Sequence, residues 1–365
     1  MTMDRLAYPP AHAVARTIAA HFHKHTAPTE LTPDADTIER IIDAAFWASL
    51  RREEGRAPTI SLAYLPREAG GTALYVERPL PLDPTILTRL APAVERPGIH
   101  LGIWKNGAGL SLWGATRTIP PYCFVVEVIE PGLLVIKHRR ADPEGKFANV
   151  AVLEGDQVKV IDVEGTLTSE CPDFVATLLG FNPGAETEDS DNVLLPLALS
   201  MRAHKHGGSL LVVPHGTDAW RKSIISVPYA VAPPFSKLGD LVSKGARDVA
   251  FKEATDAIGG LTAVDGAVVL SDRWDVLAFG AKIGRTESGP FVDQVLVREP
   301  IVGHTPIKVP ASEVGGTRHL SAAQFVHEQR DALALVASQD GRFTVFGWSQ
   351  RAGMVHAYRV EALLL

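Results

Sequence analysis

The sequence predicts an α+β domain built on an antiparallel β-meander, followed by an α/β domain. Three observations carry this. Between residues 60 and 163, apolar and polar positions alternate with a period of two, and the separators have turn chemistry: Asn106-Gly107, Pro131-Gly132 and Glu154-Gly155-Asp156. From residue 194 onward, helical spacing alternates with short apolar runs, the pattern of an α/β layer structure. Between the two halves lies an acidic, apolar-poor stretch containing Pro183-Gly184, which reads as a linker over 182–191. The expected domains are therefore 1–181 and 192–365, and a chain of 365 residues has room for two domains of about 150 residues each.

Residues 1–33 are rich in Pro, His and Thr and predict one short helix near 13–23. His21, His23 and His25 have no acid or thiol beside them and read as a partly exposed tail or helix end, not a metal site. Ile38, Ile41, Ile42, Ala45, Phe46 and Ser49 then share one face of a helix, with Asp36 and Glu39 as its capping box and Gly55 as its stop. Strands are expected at 60–65, 99–104, 109–113, 123–129, 133–137, 148–153 and 157–162, with three consecutive hairpins among them. A helix over 173–179 closes the half. Trp104, Trp113 and Cys123 fall in the strand pattern and read as packed; the space around the tryptophans is the one hint of what this half could sense.

The second half predicts a helix over 194–206 stopped by Gly207-Gly208, and a buried strand at 209–213. Another helix over 245–258 is stopped by Gly259-Gly260. Strands at 264–271 and 276–282 flank the polar turn 272–275, and residues 284–312 read as a long irregular segment. A helix enters at His319, and two last strands, 332–337 and 342–346, enclose the turn Asp340-Gly341. The apolar tail over 354–365 is expected to dock. His204 and His206 read as cations favoured at a helix C-terminus, and Pro214-His215-Gly216 follows a strand at a place where α/β domains bind ligands.

Composition narrows the function. A net charge of −6 argues against a surface that traps nucleic acid, so any anion site must concentrate its positive charge locally. Cys123 and Cys171 are too few and too far apart for a disulfide framework or a zinc site, which fits a reducing cytoplasm. The N-terminus lacks the continuous apolar core of a signal peptide, and no run of about 18 apolar residues predicts a membrane span.

Two short stretches carry the chemistry. Asp265-Gly266-Ala267 places a carboxylate and small residues at the mouth of an apolar strand, where a carboxylate can hold a divalent metal and a ligand can approach the backbone. Gly315-Gly316-Thr317-Arg318-His319 places glycines, a hydroxyl, a guanidinium and an imidazole at a helix start, where free N–H groups favour phosphate. It is not a Walker loop, because no Gly-Lys-Ser/Thr follows. Taken alone, each stretch reads as an ordinary turn. Together they suggest a nucleoside triphosphate site.

These residues also carry a resemblance. DGAVVL at 265–270, GTRHLSAAQF at 316–325, GGSLLVV at 207–213, VLAFGAKIG at 276–284 and ALALVASQDGRFTVF at 332–346 resemble the DAC domain, the diadenylate cyclase domain that makes cyclic di-AMP. LWG at 112–114 and EPGLLVI at 130–136 resemble the sensor-type module DACNV found in front of such domains. The resemblance implies a mixed central sheet flanked by helices, regulation by the first half through a ligand it does not name, and ATP as substrate with Mg²⁺ or Mn²⁺. It also implies a homodimer or higher homo-oligomer, because each subunit holds half a site.

By the same resemblance, Asp265, Arg318 and His319 are the catalytic candidates and Asp265 and His319 the metal candidates. Gly266, Ala267, Gly280, Gly316, Thr317, Arg318 and Ser338 would bind the nucleotide. Three departures stand out. Leu320 replaces the second arginine of Arg-His-Arg, Ser338-Gln339-Asp340 replaces Ser-Glu-Glu, and the segment after residue 284 is longer. Lys282, Arg285 or Lys308 could supply the missing charge. The alternative function is a degenerate DAC fold that binds a nucleotide without turning it over.

Overall fold

The computed structural model describes residues 7–25, 32–107, 109–141, 147–162, 193–286 and 289–365. The expected linker at 182–191, the expected helix at 173–179 and Cys171 lie outside these residues. Two units emerge: Met1–Ile161 with Leu365, and Asp162–Leu364. Each is built on a large mixed sheet, and the described residues hold seven α-helices in all. No helix among them is long and apolar enough to cross a membrane.

In the first unit, helix α1 (Pro9–His25) is longer than the sequence predicted. It is no exposed tail: Ala11, Val14, Ala15, Ile18 and Phe22 repeat at helical spacing and are all buried. Helix α2 (Ala35–Ser49) starts two residues earlier than the expected capping box places it. Its N-cap is Asp34, whose Oδ1 accepts from the Thr37 backbone N–H at 2.8 Å. Strands β1 (Ile60–Tyr64), β2 (Ala73–Pro81), β3 (His100–Asn106), β4 (Gly109–Thr116), β5 (Phe124–Glu130), β6 (Leu133–Arg139), β7 (Phe147–Glu154) and β8 (Gln157–Val160) form one sheet. Their order is β2-β4-β3-β1-β5-β6-β7-β8.

The expected antiparallel meander is therefore only partly right. β5 to β8 do run as successive hairpins, but β1 inserts between β3 and β5 and lies parallel to β3. β2 and helix α3 (Pro84–Val94) were not foreseen. One sheet face packs Leu62, Ile103, Val126 and Ile136 against α1 and α2. The other buries Ala63, Leu65, Trp113 and Val125. Trp113 lies over Gly102, where an added Cβ would fall 2.1 Å from the indole. Its Nε1–H donates to the Leu65 carbonyl at 2.8 Å. Cys123 is buried, and burial pushes its thiol up to about 12.

The second unit holds helices α4 (Leu194–Ala203), α5 (Lys237–Ser243), α6 (Val249–Leu261) and α7 (Thr317–Glu328). Its strands are β9 (Gly208–Val213), β10 (Ile224–Ser226), β11 (Tyr229–Phe235), β12 (Ala267–Ser271) and β13 (Val276–Ile283). They continue with β14 (Gln294–Arg298), β15 (Ile307–Pro310), β16 (Leu333–Ala337), β17 (Phe343–Ser349) and β18 (Met354–Arg359). The path runs β10-β13-β12-β9-β16-β17-β18-β14-β15, with β11 also paired to β13. The pairs β9–β12 and β14–β18 are parallel. On one face Leu210, Val268 and Leu335 pack on Leu197, Met201 and Ile258 of α4 and α6; on the other Leu211, Val269 and Val336 pack on Ala322, Phe325 and Val326 of α7.

Two expectations are corrected here. Residues 284–312 are not irregular throughout, because they contain β14 and β15, which extend the sheet beyond β18. Gly259 and Gly260 do not stop α6, which runs on to Leu261. A Cβ on Gly259 would fall 2.2 Å from Ser200 Oγ, so this glycine serves the close approach of α6 to α4.

Candidate functional site

Strand register places the first sequence motif at one rim of the second sheet, and the start of helix α7 brings Arg318 of the second motif to Gly207 on that rim. Ala267 opens β12 opposite Ser209 on β9 and Ala281 on β13. Gly208 opens β9 opposite Ala337, which closes β16, and Ala337 pairs with Phe343 at the start of β17. Asp265, Gly266, Gly207, Lys282 and the hairpin Ser338–Arg342 therefore border the same edge. Helix α7 packs beneath it on β16 and β17.

The Asp265 side chain is 87% exposed, and its Oδ2 accepts from Lys282 Nζ at 2.5 Å. That hydrogen bond and the lysine charge hold the carboxyl below the usual carboxylate range, and the Arg318 guanidinium adds to the effect. Gly266 has φ +117°, and a Cβ there would fall 2.4 Å from the Gly280 carbonyl carbon. Gly280 has φ +67°, and its own Cβ would meet the Tyr229 ring at 2.9 Å. Tyr229 stacks on Phe279 at 4.7 Å and stays 50% exposed, so an aromatic face borders the edge beside Gly280.

Gly316 is the N-cap of α7 and brings no side chain to cap the first-turn N–H groups. Thr317 and Arg318 are exposed. A Cβ on Gly207 would lie 3.5 Å from Arg318 Nη1 and 3.3 Å from Gln339 Cγ, so guanidinium and hairpin converge on this glycine. Gln339 Nε2 donates to the His206 carbonyl at 3.2 Å. The Asp340 pKa is lowered first by the Ser338 hydroxyl, and the carboxylate sits 3.4 Å from Arg342 Nε.

His319 faces inward. It is 4% exposed, edge-on to Phe346 at 6.1 Å, and a Cβ on Gly315 would fall 2.6 Å from its ring. Burial lowers its pKa; Asp340 opposes the shift, and Arg359 and Arg342 add to it. Leu320 is 38% exposed. Of the three candidate substitutes for the missing charge, only Lys282 is at this edge. Arg285 donates to the Gly289 carbonyl and covers Phe291 at 4.0 Å, and Lys308 lies on β15 at the far margin of the sheet.

Asp265 is thus one carboxylate already bound to an ammonium, and the imidazole of His319 is packed inside. Among the described residues no three His, Cys, Asp or Glu side chains gather to hold a metal ion. This donor set does not fit a divalent cation held by the protein itself.

The histidines that flank β9 have local partners. His204 Nδ1 accepts from the His206 N–H at 3.1 Å, which leaves Nε2 to donate to Thr262 Oγ1 at 2.9 Å. The His215 N–H donates to Asp272 Oδ1 at 2.9 Å, at the opposite ends of β9 and β12 from Asp265.

A cavity of about 440 Å³ opens at the other end of α7, lined by Lys222, Thr286, His327, Glu328 and Arg330 among others. Sequence reasoning did not single it out, since its walls come from three separate segments. Gly207 and Arg342 also gained their place only from strand register, whereas Lys282 is a candidate from the sequence that the register places beside Asp265.

Comparison with known proteins gives one family match. The model described as "Probable sensor domain DACNV" matches residues 27–117, so the first unit carries a probable sensor domain. No curated protein matches the chain. Among solved structures, a hypothetical membrane spanning protein from Bacillus cereus is 17% identical, with a TM-score of 0.27; the match covers 49% of this chain and 66% of that one. DacA from Staphylococcus aureus, solved as a double mutant, is 14% identical with a TM-score of 0.25; that match covers 47% of this chain and 86% of that one.

Proposed function

We propose that the second unit binds a nucleoside triphosphate at this rim in the manner of a diadenylate cyclase half-site, and that the sensor unit preceding it in the chain regulates the event. ATP is the expected ligand. One observation carries the reading: two motifs far apart in sequence share one edge. Arg318 of the second motif reaches Gly207 and acts electrostatically on Asp265 of the first. Uncapped first-turn N–H groups of α7, the Arg318 guanidinium and the Lys282 ammonium suit phosphate oxygens. Gly266 and Gly280 let β12, β13 and Tyr229 meet closely at the rim, and the exposed ring of Tyr229 suits a base.

The fuller activity is condensation of two ATP into cyclic di-AMP between two copies of the chain. Each 3′-hydroxyl oxygen bonds to the α-phosphorus of the other nucleotide as the bond to pyrophosphate breaks, and two pyrophosphates leave. Asp265 is the ionised group placed to accept the 3′ proton; Lys282 fixes its position and lowers its basicity. Arg318 neutralises charge on the triphosphate, and the buried His319 positions the Thr317-Arg318 corner. Most of the work is placement and charge neutralisation. A second reading, binding without turnover, is favoured by Leu320, which puts an exposed apolar side chain where the resemblance implies an arginine.

Incubation of the full chain with ATP and Mn²⁺, read by mass spectrometry, separates the two. A cyclic dinucleotide made by wild type and not by Asp265→Asn supports the cyclase. Saturable ATP binding without product supports the sensor, and no binding refutes both.

A further inference from the structure

The Asp265–Lys282 pair carries a consequence for how charge is balanced at the rim. We propose that Lys282 stands in for a divalent ion, so that this edge binds a nucleoside triphosphate without Mg²⁺ or Mn²⁺. The inference rests on the nucleotide reading above and specifies its ionic requirement.

The placement is set by the sheet. Ala281 of β13 pairs with Ala267 of β12, so Lys282 is the next residue along β13 and emerges at the rim beside Asp265 and Gly266. Its Nζ lies 2.5 Å from Asp265 Oδ2, the position an ion would need in order to use that carboxylate. Its side chain is 43% exposed, so the head group can also meet an incoming phosphate.

Magnesium binding by a protein commonly uses one or two carboxylates plus the substrate's phosphates and waters. Here Asp265 is already paired with the Lys282 ammonium, and Asp340, on the hairpin at the same edge, lies 3.4 Å from Arg342 Nε. His319 is turned inside, and among the described residues no three potential metal ligands assemble. A divalent ion would first have to displace the ammonium. A triphosphate need not: its oxygens can bind Lys282 from the open side and Arg318 from the α7 side while Asp265 stays where it is. Lysine is a well-suited point charge for phosphate.

The test is equilibrium titration of ATP into the full chain, once in excess EDTA and once in excess Mn²⁺. The inference expects affinities within about threefold of each other. Lys282→Met is expected to weaken binding in EDTA by about tenfold or more, with Lys282→Arg keeping most of it. Asp265→Asn is expected to bind ATP in EDTA as tightly as wild type or more tightly, since it removes a negative charge and frees the lysine. Thermal unfolding of each variant confirms that it is folded. Binding in Mn²⁺ that vanishes in EDTA, or vanishes in Asp265→Asn, overturns the inference while leaving the nucleotide reading intact. Absence of ATP binding by folded wild type under both conditions overturns both.

Discussion

Gly266 and Gly280 meet backbone to backbone: a Cβ on the first would fall 2.4 Å from the carbonyl carbon of the second. Both have positive φ, at the irregular register where β12 meets β13. Gly266→Ala therefore has to absorb a strained dihedral and a backbone clash together. A loss of roughly 1–3 kcal/mol in stability is expected from denaturant titration, with weakened ATP binding. An unchanged midpoint would show that the two strands can part freely, contrary to the packing described.

Leu320 offers the converse experiment. It lies in the first turn of α7 and is exposed, so Leu320→Arg should fold and add charge beside Arg318. The helix dipole opposes a cation there by roughly 0.3–1 kcal/mol, a cost small beside a charge-assisted phosphate contact of about 1.5–3 kcal/mol. ATP binding should tighten several-fold at low salt and lose the advantage as salt rises. Equal affinity at low salt would place residue 320 outside the site.

The local chemistry of the rim was legible in the sequence, and its wiring was not. Asp265-Gly266 and Gly316-Thr317-Arg318 announce themselves because each is a contiguous turn before an element. The Lys282 partner depends on which residue of β13 faces the start of β12, and the register there shifts. Burial of His319 depends on Gly315 and Phe346, which no spacing rule links. In the first unit, β2 is mostly exposed and carries Pro79 and Pro81, so it lacks alternation. Helix α3 has Pro92 inside it, a residue that argues against a helix. The parallel insertion of β1 beside β3 is a non-local choice that hairpin signals cannot report.

The first unit should be acid-sensitive through His100. This residue is 2% exposed, and its Nδ1 lies 2.7 Å from Ser61 Oγ. Burial lowers its pKa to about 4; Glu127 pulls up and Lys137 pushes down. The native state thus binds fewer protons than the unfolded one below the ordinary imidazole value of about 6.5. The contribution is full above pH ~6.5 and is lost as pH falls toward 4, up to about 3 kcal/mol. Denaturant titrations of wild type and His100→Gln across this range should converge as pH drops. Parallel curves would refute the assignment.

Helix α2 depends on Asp34 at its start. The carboxylate caps Thr37 N–H and pairs with Lys105 Nζ at 2.8 Å, and these bonds hold its pKa down at about 2. Asp34→Ala should cost about 1 kcal/mol, nearly all of it from the cap, because the ion pair is exposed and screened. Lys105→Ala should cost far less. Equal losses would mean that the ion pair, not the cap, secures the helix.

The central claim is that the rim of the second sheet holds a triphosphate through Arg318. Titration calorimetry of ATP against wild type and Arg318→Ala tests it most directly. The account predicts saturable binding by wild type, weakened about tenfold or more in the folded variant, consistent with one lost charge-assisted contact. Equal affinity in the two proteins, or no saturable binding by wild type, would contradict it.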